Sequence, residues 1–421
     1  MECKMHKVIK RVILVMFCLF LFITHKGFSY VVIGDTFSEI PLEKRIYKSL
    51  VEHNLNDRVI NIDSLRYRDK IVVGISFYYG LFYTQDKEKI YQDLIAYSSS
   101  LTKVIFYSFP YISELDLSGV YRDSIKVEDN YKEPTFTASI DRRDLESLYK
   151  EDQSFELFLD RTGRVYYSNA LLKSDIFNLQ KDSYIEENSN RNINDTKENL
   201  LTKLRSLWIA YRRIRSGGIY KNAIWRGNPH LKEISITFDD GPKPVYTPIV
   251  LDILNRYSVK ATFFLVGKRI QIYPYFAKDI IKNGHTIGNH TMHHLNLTKL
   301  SYDRKYKEIL DTQDVIYSVT GEKCKYFRPP GGDYDRDVEE ILEKQSIRLV
   351  LWTKKLGDYL IPENKEDLLL RRVEKEVMPG AIIVFHIGVK STIDILPQFI
   401  DYVRKEGYKI VPLEKLIEDA K

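Results

Sequence analysis

Cysteine is nearly absent: three residues in 421, with Cys3 and Cys18 inside the first 29. Cys324 therefore stands alone in the rest of the chain, which excludes an internal disulfide or a thiolate metal cluster there. Charge of one sign is equally scarce. The formal +6 includes five cations against Glu2 in residues 1–29, a balance of +4, leaving +2 for residues 30–421. So small a surplus gives no electrostatic case for a nucleic-acid partner. Internal repeats are missing too. What is abundant is core material. With 44% hydrophobic and 13% aromatic residues, the chain is neither disordered, collagen-like nor a coiled coil, and its length fits two or three domains.

Residues 1–29 read as a targeting segment. A basic head at Lys4–Arg11 precedes the apolar run Val12–Thr24, which is short for the roughly 30 Å of a bilayer core at about 1.5 Å per helical residue. That pattern predicts a secretory signal, with Gly27-Phe28-Ser29 placing cleavage before Tyr30. An uncleaved membrane anchor, with Val8 and Ile9 extending the run, is the competing expectation. Either one places the protein outside the cell or in its envelope. Phe17 is too bulky to precede a lipidated Cys18.

Residues 30–180 read as a smaller α+β domain. Lys70–Tyr79 and Lys103–Phe109 are rich in β-branched and aromatic residues and predict strands. Ser154–Tyr167 reads as a hairpin turning at Asp160-Arg-Thr-Gly163, while 87–97 and 141–149 look helical. No motif there assigns the domain a role. Residues 181–224 combine a polar, Asn-rich linker with an amphipathic helix, whose Leu200, Leu201, Leu204, Trp208, Tyr211 and Ile214 recur at three- and four-residue spacing. A packed helix with a solvated basic face accounts for that pattern.

Residues 225–421 alternate strand with helix. Apolar strands are expected at 233–238, 261–266, 348–352 and 381–386, and helices at 247–257, 273–283, 303–319, 335–344, 366–377 and 393–406. Continuous apolar strands between amphipathic helices predict a parallel sheet. About seven units imply an irregular (β/α) barrel, a fold that carries its chemistry at the carboxyl ends of its strands.

Those ends are rich in reactive groups. Asp239-Asp240-Gly241-Pro242 follows one strand. Adjacent carboxylates repel, which makes sense if one holds a cation and the other acts as a base. His290 and His294 are four apart, a spacing that suits two imidazoles on one metal if the segment is helical, with His293 the competing ligand. Arg328-Pro-Pro-Gly-Gly332 supplies a bidentate cation and an irregular loop. His386 ends the strand Ala381–Phe385, a place for a general acid.

In that order these motifs closely resemble the polysaccharide deacetylase family, also called the NodB-homology domain. The resemblance covers about Trp225–Lys415. Thr237-Phe-Asp-Asp-Gly-Pro242 is similar to its first motif, which implies Asp239 as base and Asp240 as metal ligand. His290-Thr-Met-His-His294 implies His290 and His294 as the other ligands, with Thr291 shaping the loop. Arg328 would orient the base, and Pro330 and Gly331 would form the oxyanion and substrate loop. Val384-Phe-His386 implies His386 as acid, and Tyr359 falls on the substrate side. The implied cofactor is a divalent ion, zinc first, then cobalt or manganese. The implied substrate is an N-acetylated polysaccharide, foremost the amino sugars of peptidoglycan. A catalytically silent glycan-binding envelope protein and an amidohydrolase acting on a small amide are the competing readings. The sequence departs from the family where Lys355 replaces an Asp expected to tether Arg328, leaving Asp358 as the nearby carboxylate for that task.

Overall fold

The computed structural model describes residues 40–80, 87–121, 134–145, 154–168, 219–220, 223–353, 357–361 and 365–420. The targeting segment, the linker and the amphipathic helix lie outside these residues.

The α+β part runs α1 (Leu42–Glu52), β1 (Val59–Tyr67), β2 (Lys70–Tyr79), α2 (Lys87–Ser108), β3 (Glu114–Tyr121), β4 (Phe136–Asp141), α3 (Phe155–Thr162) and β5 (Val165–Tyr167). Its sheet has the order β1-β2-β3-β4-β5. Only β2 and β3 pair in parallel, and α2 is the crossover such a pair requires. Strand β2 is apolar on both faces because both are covered. Ile71, Val73, Ile75, Phe77 and Tyr79 pack with residues of α1 and α2, whereas Val72 joins the barrel core with Leu65. This is the two-residue alternation of a pleated strand.

Two expectations are corrected here. Lys103–Phe109 is not a strand, since all but its last residue belongs to the 22-residue helix α2. Burial of Leu94, Ser98, Leu101, Thr102 and Ile105 follows the helical period, which a short apolar run conceals. Ser154–Tyr167 is not a hairpin either. Ser154 accepts a hydrogen bond from the Leu157 amide as N-cap, and Gly163 closes α3 in the left-handed conformation, so both residues mark helix ends. Residues 142–145 start as a helix, as expected; residues 146–149 lie outside the described ones.

The second sheet is the irregular barrel. Its elements are β6 (Ile219–Tyr220), β7 (Ala223–Ile224), β8 (Glu233–Gly241), α4 (Tyr246–Arg256), β9 (Thr262–Leu265), α5 (Gly267–Ile272), α6 (Pro274–Lys282), β10 (Thr286–Asn289), α7 (Tyr302–Thr320), β11 (Tyr326–Phe327), α8 (Arg336–Lys344), β12 (Arg348–Val350), α9 (Glu366–Glu374), β13 (Ala381–His386), α10 (Lys390–Lys405), β14 (Lys409–Ile410) and α11 (Leu413–Glu418). Strands β13-β8-β9-β10-β11-β12-β7 pair in parallel, with β6 antiparallel on β7 and β14 alongside β8. Across the gap between β7 and β13, Arg226 bridges to Ala381 and the Thr353 amide donates to the Ile382 carbonyl. The expected α/β architecture, a barrel preceded by a smaller α+β part, is what the chain adopts.

The two sheets meet at α4 and the loop before it. Val245 is buried there with φ +65°. A β-branched residue in that region costs about 1–3 kcal/mol and persists only where its surroundings impose it.

Candidate active site

The site is built around a β-bulge. Along β8 and β9 the register runs Thr237 to Thr262, Phe238 to Phe263 and Asp239 to Phe264, then skips to Gly241 opposite Leu265. Asp240 is the extra residue, with φ +70°. In a regular pleat neighbouring side chains point to opposite faces. The bulge re-aims one of them, so that Asp239 Oδ2 lies 4.0 Å and Asp240 Oδ1 3.4 Å from the same atom, His290 Nε2. Aspartate is among the few non-glycine residues that tolerate this backbone.

The two imidazoles converge without a helix, contrary to the spacing argument. After β10 the chain turns back on itself at Thr291 and His294, both at positive φ. Asn289 Oδ1 accepts from the Thr291 amide at 2.9 Å, and Thr291 Oγ1 from the His294 amide at 3.0 Å. These buried polar side chains fix the loop from within. His294 Nε2 reaches Asp240 Oδ1 at 3.0 Å. His293 is drawn away: Glu308, itself buried, accepts from its amide at 2.9 Å and contacts its Nδ1 at 2.8 Å.

The donor set fits a divalent cation. Ligand atoms of Asp240, His290 and His294 lie within 4.8 Å of one another. His290 Nδ1 is 2.7 Å from the Arg328 carbonyl, a contact that needs the proton on Nδ1 and leaves the Nε2 lone pair for a ligand. Asp240 Oδ1 is buried and, among the described residues, has no aligned hydrogen bond. Burial pushes the Asp240 carboxyl up, but the close approach of His290 and His294 outweighs it and holds the group well below the usual carboxylate range. Electron-rich atoms from three side chains turned towards one point are what such an ion satisfies.

Arg328 is completely buried. Its Nη1 donates to Asp239 Oδ1 at 2.6 Å and Thr237 Oγ1 at 2.8 Å, while Nη2 and Nε donate to the Leu351 and Val350 carbonyls at 3.1 and 3.3 Å. The guanidinium carbon stands 4.0 Å from the Phe264 ring centroid. Burial lowers the Arg328 pKa and Asp239 opposes that shift. Backbone carbonyls thus provide the tether that sequence comparison sought in a carboxylate. Asp358 does not perform it, and Lys355 lies outside the described residues.

Asp358 serves His386 instead. It is fully buried. Its Oδ1 lies 2.6 Å from His386 Nδ1, and its Oδ2 accepts from the His386 amide and the Thr392 hydroxyl, both at 2.8 Å. Burial alone would lower the His386 pKa, but the hydrogen bond and charge of Asp358 turn the net shift upward. Sequence reasoning missed this partnership. Its one signal was an acidic residue in the segment leading to a strand that ends in histidine. The Tyr359 ring meets His386 edge-on at 5.0 Å and is half exposed.

Two further features shape the rim. Pro330 is buried, while Gly331 takes φ +66° in the turn Pro330–Gly332 that follows β11. Arg269 donates to the Asp240 carbonyl, and Lys243, from the loop after Asp240, lies close against Gly388, two residues past His386.

The polysaccharide deacetylase family pattern matches residues 226–350. A peptidoglycan-N-acetylglucosamine deacetylase of Bacillus cereus is 35% identical over 198 residues, 46% of this chain and 92% of that relative. The chain belongs to the polysaccharide deacetylase family. Peptidoglycan-N-acetylmuramic acid deacetylase PdaC of Bacillus subtilis is 32% identical over 194 residues, which span 46% of this chain and 40% of PdaC. Among solved structures, a CE4 family pseudoenzyme from Bacillus anthracis is 32% identical with a TM-score of 0.46, covering 48% of this chain and 70% of its own.

Proposed function

We propose that this protein hydrolyses N-acetyl groups from the amino sugars of peptidoglycan, outside the cytoplasm, using a divalent ion held by Asp240, His290 and His294. The observation that carries the reading is one cluster at the carboxyl ends of adjacent strands. It contains an Arg-paired carboxylate, a three-ligand set and a carboxylate-paired histidine. The Bacillus relatives support peptidoglycan as the polymer, and the basic, apolar amino terminus supports export. Zinc is the first choice for an Asp-His-His set, which also suits cobalt or manganese.

Such an ion, when bound, would lower the pKa of water and polarise the acetyl carbonyl. Asp239 takes the proton from the attacking water as oxygen bonds to the acetyl carbon. Arg328 pairs with Asp239 and fixes the direction of its free oxygen. The Gly331 amide is assigned to the oxyanion. His386, kept protonated by Asp358, gives its proton to the amine as the carbon–nitrogen bond breaks, and acetate departs.

The test is acetate release by purified protein from intact peptidoglycan and from N-acetylated chito-oligosaccharides, with zinc and then with chelator. Metal-dependent acetate is expected. Bound metal without acetate from either polymer would favour a glycan-binding protein, and turnover confined to small amides would favour an amidohydrolase.

A further inference from the structure

The family pattern lies within the barrel, and no motif gives the α+β part a task. Among the hydrogen bonds that cross from this part into the barrel, two end on segments joined to Asp240: the loop that follows it and the helix whose Arg269 donates to its carbonyl.

The first joins Asp116 to Val245. Asp116, on β3, accepts from the Val245 amide through Oδ2 at 2.7 Å. Val245 stands five residues past Asp240 and holds φ +65°. Gly74 is the register partner of Asp116 on β2, and a Cβ there would lie only 2.7 Å from Val245 Cγ2. Acceptor and notch are thus neighbours on adjoining strands, shaped to hold one residue of the loop after Asp240. The second joins Thr137, on β4, to Ile272, whose carbonyl accepts from Oγ1 at 2.7 Å. Ile272 ends α5, and Arg269 on that helix donates to the Asp240 carbonyl.

Packing alone does not call for these groups. Asp116, Thr137 and Val245 are all buried, and taking a carboxyl out of water is unfavourable unless a hydrogen bond compensates. Among the described residues, the other oxygen of Asp116 has no hydrogen-bond partner. Arg164 donates to Glu114, Ser139 and Asp279 instead. Burial, then the nearby Glu114, raise the Asp116 carboxyl to about 7, so a neutral acceptor is tolerated at this position.

We infer that the α+β domain is a positioning scaffold for Asp240, gripping the loop after it through Asp116 and the helix beside it through Thr137. This inference rests on reading Asp240 as a metal ligand.

The experiment uses the full chain and Asp116→Ala, Asp116→Asn and Thr137→Val. Zinc affinity is measured without substrate, by competition with a chromogenic chelator, alongside kcat and KM for acetate release. Asp116→Ala should weaken zinc binding at least tenfold and Thr137→Val several-fold, with kcat falling and KM within twofold. Asp116→Asn keeps an oxygen acceptor for Val245 and should recover most of the affinity. If Asp116→Ala does not fold, the nearly isosteric Thr137→Val carries the test. Variants that melt lower but bind zinc and turn over like the wild type would overturn the inference alone. A wild type that binds no zinc would overturn the site reading and this inference with it.

Discussion

Asp358 grips His386 twice, at its ring and at its backbone amide, so one buried carboxylate sets both the direction and the charge of the histidine ending β13. Replacing Asp358 by Asn keeps the shape but removes the negative charge that raises the His386 pKa. With His386 as the proposed acid, activity is lost as pH rises through its pKa. The Asp358→Asn variant should therefore show the basic limb of its kcat–pH profile shifted to lower pH. An unmoved limb would remove His386 from the acid role. The sign for stability follows from the same raised value. The pair's contribution is fully present below the unfolded histidine pKa of about 6.5 and fades as pH climbs through the higher folded value.

Asp239→Asn should lower kcat by about two to four orders of magnitude, the range typical of a lost general base, while metal content stays at one ion per chain. Acetate release and elemental analysis on the same preparation check both halves. Near-normal turnover would withdraw the base assignment from Asp239.

Removing Arg328 should be costly for folding as well as for rate. Arg328→Met leaves Asp239 buried without its cation, a change worth about 3–5 kcal/mol at buried pairs. Calorimetry should show a clear fall in Tm. Arg328→Lys should rescue little, since an ammonium cannot reproduce the contacts to Asp239, Thr237, Val350 and Leu351 together.

The histidines of the loop after β10 should separate cleanly. His290→Ala and His294→Ala should lose bound metal and acetate release. His293→Ala should keep the metal, because His293 is engaged by Glu308 and not by Asp240. Metal titration followed by calorimetry distinguishes them, and loss of metal from His293→Ala would put that residue in the ligand set.

Much of the barrel was legible because parallel strands buried on both faces are written as unbroken apolar runs. The residues ending them, Asp239, Arg328 and His386, follow from that placement. What sequence could not convey was direction. Asp239 and Asp240 share a site only because a bulge interrupts β8. His290 and His294 meet through two positive-φ residues rather than a helical turn. The carboxylate of Asp358 was visible, but whether it faced Arg328 or His386 depended on tertiary contacts. In the α+β part, Lys103–Phe109 has too few polar residues to reveal its period, so strand propensity pointed the wrong way until the preceding turns of α2 were seen to continue through it.

The seam of the barrel bears on the order in which the chain can assemble. Its earliest parallel strand, β7, pairs with β12, and Arg226 just beyond it bridges to Ala381. The three proposed ligands come from residues 240–294, yet Asp239 finds His386 across the β8–β13 register. Closing so long a segment carries the larger entropy cost and favours late formation. A nascent chain emerging from its amino terminus thus exposes Asp240, His290 and His294 well before it exposes His386. His386 is the last part of the proposed reaction centre that synthesis makes available.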